Sequence, residues 1–125
     1  THDRFDGREG VRYIALEAVG DTQVANMITE WVCRSDDVPL VTPSPRDVWG
    51  MSTVTAEAPS GTDAPAALIV MDEGYDPLPE GNVPPPEENG AHGSVRDLQA
   101  YKDIVAAFLL DGTIVQTCDG ACDPE

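Results

Sequence analysis

Apolar and polar positions follow two different periods in the first third of the chain. Residues 11–19 are rich in β-branched and aromatic side chains, which predicts a strand. From residue 22 to residue 34 the apolar residues recur at helical spacing, which predicts a helix with one apolar face turned toward the core. The residues of that face are Val24, Met27, Ile28, Trp31 and Val32.

The rest of the chain predicts three more strands and a second helix. Residues 47–57 read as a strand, and the continuous apolar run 66–72 predicts a central, buried one. Ser94 and Asp97 resemble a capping box for a helix that Gly112 ends. Residues 113–118 predict a short last strand. The inner stripe of the second helix comprises Leu98, Tyr101, Val105, Phe108 and Leu109.

This element order, β-α-β-β-α-β, predicts an α+β fold with a ferredoxin-like arrangement. The expected form is a four-stranded, mainly antiparallel sheet with both helices on one face. The predicted organisation is a polar N-terminal arm (residues 1–10), one α+β domain (11–118) and a C-terminal tail (119–125). A chain of 125 residues fits a single domain of this kind.

A Pro-rich loop, residues 73–93, is too long to be a simple connection inside a compact domain. Tyr75 and Leu78 are two apolar residues of this loop, and we expect them to anchor a protein partner. For Tyr75 the alternative is local packing of the loop onto the sheet. The run Pro84, Pro85 and Pro86 favours a stiff polyproline II segment, which loses little entropy on docking.

The charge of the chain narrows the classes of partner. There are 23 acidic and seven basic residues, for a formal net charge of −16, and Lys102 is the single lysine. Such a charge repels itself unless salt screens it, which is typical of halophilic proteins, although a GC-rich genome also favours Arg over Lys. Direct binding to nucleic acid requires clustered cations, so this charge excludes it.

No apolar leader is visible at the N-terminus, and no apolar run approaches the roughly 20 residues of a membrane span. We therefore expect a soluble protein of the cytoplasm or of a virion, without a membrane partner.

Candidate chemistry is sparse, and the sequence predicts neither catalytic residues nor a cofactor. No common catalytic motif is present. His92, between glycines, has the chemistry of a general base, but a solvated loop histidine is the favoured interpretation. A carboxylate cluster after the buried strand has the chemistry to hold Ca²⁺ or Mg²⁺, against the favoured interpretation of a solvated acidic loop. Its members are Asp72, Glu73, Asp76 and Glu80.

The chain has three cysteines, and their roles remain to be assigned. Cys118 and Cys122 lack the closer spacing of zinc ribbons and thioredoxin-like motifs. We expect them to be two thiols in a tail, with a disulfide as the minority outcome. Cys33, at the end of the first helix, is expected to pack under the sheet as a small apolar residue.

These observations favour a non-enzymatic protein-interaction or assembly domain that binds other protein subunits and forms an oligomer. A structural component of a virion head–tail junction or tail is one form of that hypothesis. The first alternative is an acidic inhibitor or immunity-type protein that occupies a basic site on a nuclease or another nucleic-acid-binding protein. The second alternative is a small metal-dependent enzyme using the acidic loop.

Overall fold

The continuous apolar run forms the central strand of a four-stranded sheet. The computed structural model describes residues 12–78 and 87–123. Its strands are β1 (Tyr13–Ala18), β2 (Leu40–Thr42), β3 (Thr53–Thr55) and β4 (Ala66–Met71), in the spatial order β1-β4-β2-β3. All six residues of β4 are buried, as expected for a strand covered on both faces. The prediction of a central strand is thus confirmed.

Helices cover both faces of this sheet. They are α1 (Asn26–Ser35), α2 (Ala91–Ser94) and α3 (Gln99–Asp111), with a 3-10 turn (Val95–Asp97) between the last two. Successive residues of a strand point to opposite faces. Cys33 of α1 packs in one cluster with Leu68 and Val70 of β4, whereas Ile104 of α3 packs in the other with Ile69. The domain therefore has an apolar core on each side of the sheet.

The expected antiparallel sheet is wrong, because every pairing among the four strands is parallel. The expectation of both helices on one face is wrong as well. Two misassigned segments explain the error. Residues 40–42 form β2 between Pro39 and Pro43, in a stretch that the prolines made look irregular. Residues 113–118 form only isolated bridges, at Ile114 and Gln116, instead of a last strand.

The elements of the second half are shorter or later than expected. β3 occupies three residues of the 47–57 segment. The predicted capping box is wrong, because α3 begins at Gln99 and no side-chain bond caps the helical turn at Ser94. Gly112, with a φ of 66°, ends α3 in the left-handed region as predicted.

The parallel arrangement brings the carboxyl ends of β1 and β4 to the same edge of the sheet, where Ala18 lies opposite Met71. Gly20 follows β1 with a φ of 75°, and a Cβ there would lie 2.5 Å from the carbonyl oxygen of Asp76. A side chain at this position would push the loop after β4 away. Glycine is therefore required where the chain turns from β1 toward α1.

Candidate functional site

The apolar side of α1 faces away from the core. We define the α1 apolar face as five side chains. They are Val24 in the turn before the helix, and Met27, Ile28, Trp31 and Val32 in the helix itself. Met27 is 63% exposed, Ile28 53% and Trp31 66%. Helical spacing places these side chains together, since residues three and four apart share one side of a helix. The expected packing of Val24, Ile28 and Trp31 into the core is therefore wrong.

Polar contacts hold the opposite side of α1 against the sheet. The Asn26 side-chain amide donates to the carbonyl of Ala18 at 2.6 Å, and its Oδ1 accepts from the backbone N–H of Gly20 at 3.0 Å. Further along this side, Glu30 pairs with Arg46. Cys33 is the one α1 residue that is fully buried, which confirms its expected role as a small apolar residue. The helix is thus inverted, with its polar side inward.

One arginine joins two acids beneath α1. The Arg46 Nη2 donates to Glu17 Oε1 at 2.6 Å and also to Glu30 Oε1. Burial raises the pKa of Glu17 to about 7, although the charge and hydrogen bond of Arg46 act in the opposite direction. Burial alone would lower the pKa of Arg46, but its hydrogen bonds and charge pairing with Glu30 and Glu17 raise it. The second oxygen of Glu17 is buried without a hydrogen-bond partner among the described residues.

Trp49 is a further exposed apolar residue, in a turn that is hydrogen-bonded to α1 through Arg34. It is 87% exposed, and its backbone carbonyl accepts a hydrogen bond from Arg34 Nη1 at 3.1 Å. Arg34 itself lies 3.8 Å from Glu30, one helical turn earlier. The arginine therefore connects the turn that carries Trp49 to α1.

A second polar group occupies the carboxyl edge of the sheet at β1. His92 Nδ1 lies 2.7 Å from Asp21 Oδ2, and His92 Nε2 lies 2.7 Å from Arg96 Nη2. Asp21 also accepts backbone hydrogen bonds from Gln23 and Val24. Burial alone would raise the pKa of Asp21, but these hydrogen bonds and His92 together lower it.

The Asp21, His92 and Arg96 group borders a cavity of about 160 Å³ that Glu17 and Tyr101 also line. Both ring nitrogens of His92 are engaged, one with a carboxylate and one with a guanidinium. In this arrangement His92 ties the loop after β1 to α2 and to Arg96.

The predicted loop anchors lie partly within the described residues. Tyr75 is half-buried against the α3 side of the core, and its hydroxyl donates to Ser94 Oγ at 3.1 Å. This is the local packing that the sequence left as the alternative. Leu78 is half-buried at the end of the described segment. The proline run 84–86 lies outside the described residues, and the interaction roles of Tyr75, Leu78 and this run stay predictions.

The candidate metal ligands do not come together in the part of the chain that the structure describes. Asp72 accepts from the backbone N–H of Gly74 at 2.8 Å, and Glu73 accepts from Ser94 Oγ at 2.8 Å. Asp76 is exposed, and Glu80 lies outside the described residues. No three His, Cys, Asp or Glu side chains in residues 12–78 and 87–123 are placed to hold a metal ion.

Cys118 and Cys122 form a disulfide, with their Cα atoms 5.2 Å apart. The bridge closes the turn that follows α3. Its backbone is tied to the sheet, because the N–H of Asp72 donates to the carbonyl of Cys122 at 2.8 Å. The expectation of two free thiols is therefore wrong, and the disulfide, which was the minority outcome, is present. The bond has a structural role, because it holds this turn.

Comparison with protein-family models, with curated proteins and with solved structures finds no match to this chain. None of the described helices has both the length and the apolar character needed to cross a membrane. The site that stands out on geometry is the α1 apolar face, which the sequence analysis had placed in the core.

Proposed function

We propose that this chain is a protein-interaction or assembly domain and that the α1 apolar face is its contact surface. The observation that carries the proposal is the inversion of α1: five apolar side chains point outward while Asn26 and Glu30 point toward the sheet. A solvent-facing helix of a monomeric protein normally has the opposite arrangement.

The size of the face supports this function. The exposed parts of its five side chains amount to roughly 500 Å² of apolar surface, near the upper end of the largest patches on monomeric proteins. At about 25 cal/mol per Å², covering that area is worth on the order of 12 kcal/mol before the costs of association. Those costs are estimated at roughly 4–15 kcal/mol. The face alone thus supports weak binding.

The finer parts of the proposal rest on composition. The charge of −16 supports a source with high internal salt, and cytoplasmic and virion assemblies both fit an acidic interaction domain. The N-terminal arm and the proline run lie outside the described residues, so they are proposed as additional contacts only. The acidic-inhibitor alternative has the charge in its favour but does not use the α1 apolar face.

The experiment compares two substitutions that add the same charge at exposed apolar positions. Ile28→Glu places a carboxylate in the α1 apolar face, and Leu110→Glu places one on α3, where Leu110 is 82% exposed. We expect the native complex, sized by gel filtration from the cells that make the protein, to survive Leu110→Glu and to be lost in Ile28→Glu. Equal behaviour of the two variants would contradict the proposal, provided circular dichroism shows both to be folded.

A further inference from the structure

We infer that Asn89 is a self-modification site, at which the backbone nitrogen of Gly90 displaces the side-chain amide of Asn89 as ammonia. The inference is independent of the proposed function and concerns the segment just before α2. Because glycine has no Cβ, its backbone nitrogen approaches the preceding side chain without steric hindrance. Asn89 is exposed, so water, the second reactant, reaches it.

A carboxylate contacts the attacking nitrogen. The backbone N–H of Gly90 donates to Glu88 Oε1 at 2.8 Å. A peptide nitrogen attacks a carbonyl carbon as it loses its proton, and a carboxylate within hydrogen-bond distance takes that proton as a general base. Glu88 therefore has the position that the first step of the reaction requires.

Two donors hold the oxygen on which charge develops. Asn89 Oδ1 accepts from the backbone N–H of Ala91 at 3.1 Å and from Thr22 Oγ1 at 3.2 Å. When the nitrogen of Gly90 adds to the Asn89 Cγ, this oxygen becomes an oxyanion. Donors that are already in place stabilise such a charge without reorganising. The amide of Asn89 is thus provided with both a base and an oxyanion site.

The reaction balances with water as its one co-reactant. The bond from the Gly90 nitrogen to the Asn89 Cγ forms, and the bond from Cγ to Nδ2 breaks. The proton that Glu88 takes from the Gly90 nitrogen leaves with Nδ2, as ammonia. The product is a cyclic imide. Water then opens the imide at Cγ, which gives aspartate, or at the backbone carbonyl carbon of residue 89, which gives an isoaspartyl link.

The same amide ties down the loop after β1. Asn89 Nδ2 donates to the carbonyl of Gly20 at 2.8 Å, and Asp21, the next residue, makes the contact with His92. A carboxylate has no N–H to donate, and it would face the Gly20 carbonyl with a charge of the same sign. The modification should therefore release the loop that leads from β1 into α1.

The test follows the conversion of amide to acid by mass spectrometry in the purified protein at neutral pH, both folded and in guanidinium chloride. Peptide fragments assign the change to a residue. Unfolding removes the contacts of Glu88 and Thr22 and leaves the intrinsic rate of the Asn-Gly pair. We expect the folded chain to react faster at Asn89, and Asn26, which precedes Met27, to stay an amide. A folded chain that reacts at the unfolded rate or more slowly overturns the inference.

Two variants separate the base from a general effect of charge. Glu88→Gln keeps the shape of the side chain but takes no proton, and Glu87→Gln removes the same charge at the exposed residue before it. Since general-base catalysis contributes roughly 10²–10⁴-fold, we expect Glu88→Gln to slow the folded-state reaction at least about tenfold. Glu87→Gln should react as the wild type does. Equal rates in the two variants, both folded by circular dichroism, would refute the role of Glu88.

The effect on the loop is measured in Asn89→Asp, which has the side chain of the aspartate product. Asp21 Oδ1 accepts from the backbone N–H groups of Gln23 and Val24. If the loop is released, these two N–H groups should exchange with deuterated water faster than in the wild type. Unchanged exchange at both positions would show that the Asn89 amide does not hold the loop, and would overturn this consequence.

Discussion

Replacing Glu17 by glutamine tests the polar contacts that hold α1 with its apolar side outward. The side chain of Glu17 is 1% exposed, and its Oε1 accepts from Arg46 at 2.6 Å. Glutamine has nearly the same shape and carries no charge. The substitution therefore removes the titration of this buried group while leaving the packing beneath α1 in place.

The magnitude follows from the pKa of Glu17, which burial raises from 4.5 to about 7. A shift of about 2.5 pH units corresponds to about 3 kcal/mol at 1.36 kcal/mol per unit. Because the folded-state pKa lies above the unfolded one, the contribution to stability is complete below pH 4.5. It is lost as the pH rises through about 7. The wild type should thus lose up to about 3 kcal/mol over this range from Glu17 alone.

The assay is urea unfolding of the wild type and Glu17→Gln at several pH values between 4.5 and 8. We expect the free energy of unfolding of the variant, relative to the wild type, to increase by up to about 3 kcal/mol across that range. Glu57→Gln, at an exposed position, controls for the loss of one carboxylate. A difference between Glu17→Gln and the wild type that does not change with pH would refute the reasoning, because the carboxylate would then be ionised throughout.

Three further predictions concern stability. The melting temperature should rise from dilute to molar KCl, because screening relieves the repulsion of a chain with net charge −16; a flat or falling value would contradict the halophilic interpretation. Ile104→Ala should lower the free energy of unfolding by about 2–5 kcal/mol, since this side chain is fully buried between α3 and the sheet; a urea titration that shows less than about 1 kcal/mol would place α3 elsewhere. Reducing the bond between Cys118 and Cys122 should cost about 2 kcal/mol by the chain-entropy relation for so short a loop, and a melting curve unchanged by dithiothreitol would show that the bond is absent.

The sequence predicted the elements whose signal is local. The run in β4 is continuously apolar, and its central position follows because only a strand covered on both faces can be apolar at every residue. Gly112 ended α3 as predicted, because a left-handed residue at that place favours glycine. Cys33 was correctly placed in the core. In each case the residue type and its immediate neighbours contain the information.

The sheet topology could not be predicted in the same way. β2 consists of three residues between two prolines, so its pairing with β3 and β4 supplies the stability that its own sequence lacks. Because β2 was not predicted, residues 113–118 took the role of the fourth strand. The resulting order of elements then suggested an antiparallel sheet. Whether neighbouring strands run parallel depends on where the crossovers pack, which is a property of the assembled domain.

The error that matters most for function concerns which side of α1 faces the sheet. Helical spacing shows that Met27, Ile28, Trp31 and Val32 share one side, but it does not show which side meets the sheet. In this chain Asn26 bonds the end of β1 and Glu30 bonds Arg46, so the polar side is fixed inward by directional contacts. The signal in the sequence was an amide, a carboxylate and a cysteine spaced along the other side of the helix.

The polar attachment of α1 to the sheet and the exposure of its apolar side are physically connected. A helix that binds its own domain through its apolar side has little apolar surface left for a partner. Here Asn26, Glu30 and Cys33 attach α1 to the sheet over a small area, and the apolar side chains remain outside. Since Glu17 and Glu30 share one arginine, weakening that contact should loosen the helix that carries the face. Stability at α1 and binding through α1 should therefore change together when Arg46 is replaced, whereas Ile28→Glu should alter binding alone.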